Sequence, residues 1–201
     1  TGIFIDLERA YDMIWKDGLL YKLGQLGIGN EMYRWIDAFL TDRTIQVKVG
    51  NELSTVIRLD NGTPQGSVLS PVLFLVMIND LPDPGDEVKL SIFADDYSIW
   101  RSGRNLKYDA SILQKYFERY QKWCDVWGFR ISKSKTTAVV FSKKIDPEKQ
   151  IELKVDGENI SFSRSVKFLG VIFDRKLTWN EHIRYVITRC NKRLNLLRAL
   201  T

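Results

Sequence analysis

A chain of 201 residues, 44% hydrophobic and 27% charged, has the composition of a soluble globular protein and length for one substantial core, or a core plus a small appendage. No apolar run approaches a membrane span and no signal peptide opens the sequence, so a membrane-embedded or secreted protein is not expected. The net charge of +5 is unevenly spread: residues 1–100 hold 8 Lys/Arg against 15 Asp/Glu, a net of −7, and residues 101–201 hold 22 against 10, a net of +12. That asymmetry fits a protein that gathers carboxylates for metal ions in one half and cations for a phosphate backbone in the other.

In chain order, Gly2 to Asp6 reads as a short apolar strand ending in an acid. The first residues, Thr-Gly-Ile-Phe, enter this strand without a Met, as expected of a fragment of something larger. A helical pattern runs through Leu19, Leu20, Leu23 and Leu26 to Gly27 and Gly29, and Asn30 is placed to cap a second helix, Glu31 to Leu40, with Met32, Trp35, Ile36 and Phe39 on one face. Period-two alternation on either side of Gly50-Asn51 predicts a hairpin over Thr44–Val49 and Ser54–Leu59. After the loop Asn61 to Ser67, Ser70 as cap and Pro71 as first helical residue open a helix to Ile78, apolar all round and therefore expected to be buried.

Leu90 to Ala94 and Tyr97 to Trp100 predict a hairpin with Asp95-Asp96 at its tip. Asn105 to Trp127 is a long amphipathic helix with Ile112, Leu113, Tyr116, Phe117, Tyr120 and Trp123 in its stripe, stopped by Gly128. Phe129 to Ser142 is strand-like around Lys133-Ser134-Lys135-Thr136. Asp156-Gly157 marks a further hairpin, and Val166 to Phe173 is a strand broken by Gly170. Thr178-Trp179-Asn180-Glu181 has the form of a capping box and opens a helix with Ile183, Ile187, Cys190, Leu194 and Leu197 along one side and Arg184, Lys192 and Arg193 along another. Cys124 and Cys190, without metal-ligand spacing, read as reduced core thiols of an intracellular protein, and the lone His182 as a surface residue. The texture is α+β with mostly antiparallel strands and no internal repeat.

Two adjacent aspartates repel each other, so Asp95-Asp96 is either a solvated acidic turn or a site for a divalent cation bound through hard oxygen ligands. A second source of carboxylate decides between them. If the first strand and the Asp hairpin are sheet neighbours, Asp6 and Asp95 converge on one edge and can hold two Mg²⁺ ions roughly 3.5–4 Å apart for in-line phosphoryl displacement.

Asp6-Leu7-Glu8-Arg9-Ala10-Tyr11-Asp12, Gly62-Thr63-Pro64-Gln65-Gly66-Ser67-Val68-Leu69-Ser70-Pro71 and Phe93-Ala94-Asp95-Asp96, in this order, resemble the palm of a reverse transcriptase, closest to those of non-LTR (LINE-type, jockey-like) retrotransposons. Lys133-Ser134-Lys135-Thr136 and Phe168-Leu169-Gly170 resemble the two later motifs of that family. The resemblance implies an antiparallel palm sheet backed by helices, with a ferredoxin-like core, over residues 1–174, the start of a basic helical thumb over 175–201, and fingers largely missing. It implies Asp6 and Asp95 as direct ligands of two Mg²⁺ (Mn²⁺ as an alternative), with Asp96 in support. Tyr11 would be the gate against a ribose 2′-hydroxyl, and Gln65 and Gly66 the contact with nucleotide and template.

Lys135, with Lys133 as its rival, would neutralise or protonate the departing pyrophosphate. Phe168, Leu169 and Gly170 would grip the primer, and Arg184, Lys192 and Arg193 the duplex backbone. The implied partners are an RNA template, a DNA primer and dNTPs, with no membrane; protein partners are left open, and the site of action would be nuclear. Activity of the 201-residue chain alone is expected to be weak or nil. The alternative is a decayed or domesticated palm that binds nucleic acid without catalysis.

Overall fold

The computed structural model describes residues 1–144 and 146–198. In chain order the elements are β1 (Gly2–Ile5), α1 (Lys16–Gln25), α2 (Asn30–Leu40), β2 (Arg43–Ile45), β3 (Lys48–Val49), β4 (Glu52–Leu53), β5 (Ile57–Leu59), α3 (Leu69–Met77), β6 (Lys89–Phe93), β7 (Asp96–Trp100) and α4 (Leu106–Trp127). Then follow β8 (Thr137–Val139), a 3₁₀ turn at Pro147–Gln150, β9 (Lys154–Val155), β10 (Glu158–Asn159), β11 (Ser161–Phe162), β12 (Ser165–Phe168), β13 (Val171–Asp174) and α5 (Asn180–Arg198). The chain divides into two compact units, one of residues 1–6, 84–118 and 132–201, the other of residues 7–83 and 119–131.

The first unit is built on a five-stranded sheet in the order β11-β8-β1-β7-β6. Its pairings are antiparallel except β11 with β8, which is parallel and joins strands of two and three residues. Alternation sorts the sheet into two faces. Ile3, Ile5, Tyr97 and Ile99 are buried with Leu113, Tyr116 and Phe117 of α4, and the hydroxyls of Tyr97 and Tyr116 share a hydrogen bond of 2.9 Å. Phe4 on the other face meets the ring of Phe168 edge-on, with centroids 5.5 Å apart, which seats the β12–β13 hairpin on β1. Thr137–Val139 is the only strand within the predicted Phe129–Ser142 segment, because residues 133–135 form a turn.

The capping box at Thr178 does not form. Asp174, buried at the end of β13, accepts the backbone N–H groups of Lys176 (3.0 Å), Thr178 (3.1 Å) and Trp179 (2.7 Å) and the Thr178 hydroxyl (3.2 Å). Burial pushes this carboxyl up, but the donors outweigh it and hold it below the usual carboxylate range. Its contribution is therefore complete above the ordinary carboxylate value and lost as pH falls through the depressed one. Asp174→Ala is expected to cost about 1–2 kcal/mol at neutral pH. Urea midpoints should show the gap closing in strong acid; a gap that persists there would assign the loss to packing.

α5 docks on β12–β13 through its polar side. Lys167 Nζ donates to the Tyr185 hydroxyl (2.9 Å) and lies over its ring, and His182 Nδ1 accepts the N–H of Ile172 (3.4 Å). The expected core stripe is instead exposed at Ile183, Ile187, Leu194 and Leu197, and Cys190 is exposed rather than a core thiol, whereas Cys124 is buried as expected. His182 likewise departs from a plain surface residue.

In the second unit α1, α2 and α3 surround Leu19, Leu23, Ile36, Leu40, Leu73, Phe74 and Met77. Lys22 is buried here: its ammonium binds the Met77 carbonyl and Asp80 and lies 3.6 Å from the Trp127 ring centroid. α2 is capped by Gly29, with Asn30 its first residue and no side-chain cap. α3 begins at Leu69, so Ser70 lies inside it and donates its hydroxyl to the Pro64 carbonyl (2.6 Å); the helix is not buried all round, since Val72 and Leu75 are exposed. The Gly50-Asn51 hairpin forms in two steps, β3–β4 and β2–β5. Among the described residues no helix is long and apolar enough to cross a membrane.

Candidate active site

The register of the sheet brings the acids of the first unit together. Ile5 stands opposite Tyr97, so the next step places Asp6 opposite Asp96, and Asp96 is itself paired with Phe93 on β6. The hairpin tip is therefore Ala94-Asp95, one residue earlier than the expected Asp95-Asp96. Ala94 takes φ 51, a left-handed conformation that costs a non-glycine residue roughly 1–2 kcal/mol, and Asp95 is presented at the exposed turn.

Asp6 is fixed at its backbone. Its N–H donates to Thr136 Oγ1 (3.3 Å) and its carbonyl accepts the N–H of Ser132 (2.8 Å), which ties the end of β1 to the 132–136 turn. The side-chain atom Oδ2 is buried without a hydrogen-bond donor, and the Lys135 ammonium stands 3.5 Å away. Lys133 turns elsewhere, to Glu158 at 2.8 Å and Asp156 at 3.8 Å. Of the two lysines, Lys135 is the one beside the acids.

Asp96 registers the convergence. Partial burial raises its carboxyl above the usual range first, and the charges of Asp95 and Asp6 raise it further. Carboxylates close enough to repel would be relieved by a cation, and Oδ2 of Asp6, which accepts no hydrogen bond and faces the Lys135 ammonium at 3.5 Å, has the hard-oxygen chemistry Mg²⁺ requires. Among the described residues no group of three or more His, Cys, Asp or Glu is gathered at metal-holding distance. The side chains fit a site completed by something else, as Mg²⁺ sites built on one or two carboxylates plus substrate phosphates are.

At the β12–β13 tip Leu169 (φ 47) and Gly170 (φ 82) form a tight left-handed turn, with Phe168 against Phe4 two residues before Asp6. Arg184, Lys192 and Arg193 are exposed on α5.

The remaining candidates belong to the second unit. Tyr11 stacks on Phe74, with centroids 4.7 Å apart. Its carbonyl accepts the N–H of Thr63 (3.0 Å), and Gln65 Nε2 donates to Asp12 Oδ1 (3.1 Å), so the 61–67 loop is bound to the 9–14 segment. Gly66 has φ 90, and a Cβ there would meet nothing in the chain. Residues that sequence reasoning left without a role stand out here: Asp12, which receives Gln65, and Gly62, whose N–H donates to the Ile14 carbonyl (2.7 Å). Both lay inside the motifs already picked out, and only the pairing was hidden.

The chain matches the family described as reverse transcriptase (RNA-dependent DNA polymerase) over residues 1–173. It is 32% identical over 190 residues to the RNA-directed DNA polymerase from mobile element jockey of Drosophila melanogaster, which covers 91% of this chain and 20% of that protein. It is 31% identical over 207 residues to the probable RNA-directed DNA polymerase from transposon BS of the same species, covering 100% and 23%. The chain thus spans about a fifth of the length of these relatives. Among solved structures, apo telomerase from Candida tropicalis truncated from its C-terminal domain superposes with a TM-score of 0.55 at 16% identity, over 89% of this chain and 34% of that one. A telomerase of that species in complex with a fragment of telomeric RNA gives 0.57 at 14%, over 89% and 29%, a likeness of fold. The α+β palm and the motifs along it have one reading: the chain belongs to the reverse transcriptase family, on the side of the jockey-type non-LTR retrotransposons.

Proposed function

We propose that residues 1–174 are the palm of an RNA-directed DNA polymerase and 175–201 the start of its thumb, acting on an RNA template, a DNA primer and dNTPs. The observation that carries this reading is the register that pairs Ile5 with Tyr97, one residue from Asp6 and one from Asp96, with Asp95 in the adjoining turn and the charge of Asp6 felt at Asp96. Enzymes of this family use divalent metal ions. Asp6 and Asp95 would hold two Mg²⁺, which when bound activate the primer 3′-hydroxyl and offset the charge on the phosphates. Asp96 sharpens the negative field at that edge. Lys135 is within reach to hold a proton or a positive charge beside the departing pyrophosphate, and Phe168 to Gly170 press the primer end toward β1.

Tyr11 excludes the 2′-hydroxyl and Gln65 and Gly66 receive the nucleotide, with Gly66 offering unobstructed backbone. Tyr11→Ala is expected to relax discrimination against ribonucleotides by about 10²-fold, read as the ratio of dATP to rATP incorporation. An unchanged ratio would reduce Tyr11 to a packing partner of Phe74. The decisive experiment is primer extension on an RNA template with dNTPs and Mg²⁺. Incorporation by the chain alone is expected to be slow, since it is a fifth of its relatives, but abolished by Asp95→Ala. Synthesis indifferent to Asp95→Ala refutes the site, and nucleic-acid binding with no incorporation even in a version extended into its flanking sequence points to a palm that has lost catalysis.

A further inference from the structure

The 61–67 loop is fastened mainly by its backbone. The N–H groups of Gly62 and Thr63 donate to the carbonyls of Ile14 (2.7 Å) and Tyr11 (3.0 Å). Arg43 donates to the carbonyls of Asn61 and Gly62, both at 2.6 Å, and the Ser70 hydroxyl donates to that of Pro64 (2.6 Å). On this frame the Gln65 side chain makes one further bond, from Nε2 to Oδ1 of Asp12 at 3.1 Å. Both side chains are exposed, so the bond adds little to folding. What it does settle is which way round the Gln65 amide lies.

A carboxylate only accepts hydrogen bonds, so Asp12 takes the amide nitrogen and turns the amide oxygen away. Asp12 is itself firmly placed. Its N–H donates to the Arg9 carbonyl (2.8 Å), and its backbone packs so closely on Gly62 that a Cβ there would lie 2.8 Å from it. Among the described residues Oε1 of Gln65 receives no donor, which leaves it as the group the side chain offers. A triphosphate has no partner for that oxygen, because phosphate oxygens are acceptors too. The remaining N–H of the amide lies beside the Asp12 charge, where an anionic phosphate is repelled. The N–H and O–H donors of a nucleotide are on its base and sugar.

We propose that Asp12 is a positioning residue that fixes the hand of Gln65, so that Gln65 offers an acceptor to the nucleoside part of the incoming nucleotide and takes no part in holding its triphosphate. The inference rests on the polymerase reading for Gln65 as a nucleotide contact. Asp12 acts through Gln65 and touches no substrate.

The test is steady-state incorporation on an RNA template by the chain extended into its flanking sequence, with each dNTP varied in turn. Asp12→Ala is expected to raise KM about tenfold and to leave kcat within about twofold, as loss of a charge-assisted bond that orders the ground state should. Asp12→Asn, whose amide can bond Gln65 either way round, should fall between. In a Gln65→Ala background Asp12→Ala should add nothing. An equal rise for all four dNTPs puts the contact on the sugar, and a rise that depends on the base puts it on the base; either supports the proposal. Three readouts that a collapsed loop would move should hold: a melt within about 2 °C of the parent, the dATP to rATP ratio, and inhibition by pyrophosphate. An unchanged KM, a double variant showing the product of the single losses, or a parallel change in the melt or the sugar ratio overturns the role of Asp12 and leaves the polymerase reading intact. Weakened inhibition by pyrophosphate assigns the Gln65 contact to the phosphates and overturns the proposal in the same way. Absence of Asp95-dependent incorporation overturns both.

Discussion

Changing Asp95 to asparagine is expected to lower templated DNA synthesis by about a thousandfold while leaving the fold intact. Asn keeps the shape and one oxygen but removes the charge, and a transition state that spreads negative charge over a transferring phosphate depends on fixed electrostatics at that edge. Loss of one such group costs about 10²–10³ in rate, and a carboxylate that would hold a metal ion stands at the upper end. Folding should be nearly indifferent, because Asp95 sits exposed at a turn and surface substitutions of this kind usually fall within about 0.5 kcal/mol. Asp96→Asn separates the roles. Its carboxyl is held above the usual range in the folded state, so the parent loses stability as pH rises through the interval between the ordinary and the raised value, and the Asn variant does not. That variant should be slightly more stable than the parent at neutral pH and less impaired than Asp95→Asn. Single-turnover incorporation in a version extended into its flanking sequence, alongside thermal melts, checks both. An Asp95→Asn rate within tenfold of the parent would remove Asp95 from the reaction.

The strands and the acids at their ends were more legible in the sequence than the packing was, for identifiable reasons. Alternation of apolar residues through Ile3-Ile5 and Tyr97-Ile99 makes the strands and their buried face legible, and an acid just past each strand end then falls at the sheet edge. The tip lies one residue earlier than the gap between the two apolar runs marks it, because the pairing of Phe93 with Asp96 draws Asp96 into β7 and leaves Ala94, at φ 51, in the turn. Helical periodicity reports that α5 is amphipathic but not which side meets its own chain. Lys167, reaching Tyr185 from β12, decides that, and nothing local to α5 reveals it. Thr178-x-x-Glu181 is a sound cap in isolation that loses to Asp174, whose carboxylate accepts three N–H groups and a hydroxyl. The parallel β11–β8 contact joins segments too short to carry a period at all.

Gly62→Ala is expected to be the most destabilising of the single substitutions considered, at about 3 kcal/mol, while Gly66→Ala four residues later should cost only about 1–2 kcal/mol. Both positions have positive φ, 84 and 90, so both carry the backbone penalty of a Cβ. They differ in surroundings. A Cβ at Gly62 would lie 2.8 Å from both the Cα and the carbonyl oxygen of Asp12, backbone atoms that cannot turn aside, whereas at Gly66 it meets open space. Gly62 cannot retreat, because its N–H donates to Ile14 and its carbonyl accepts Arg43 (2.6 Å). Relief of the overlap must break one of these bonds or shift the 9–14 segment that carries Tyr11 and Asp12. At about 2–4 °C per kcal/mol for a chain of this size, Gly62→Ala should melt about 6–12 °C below the parent. A melt within about 2 °C of the parent would mean that the 61–67 loop is not held as described. Gly66→Ala should invert the balance, with a small loss in the melt and a larger loss of incorporation, because the open side of Gly66 is where an incoming nucleotide would approach the backbone.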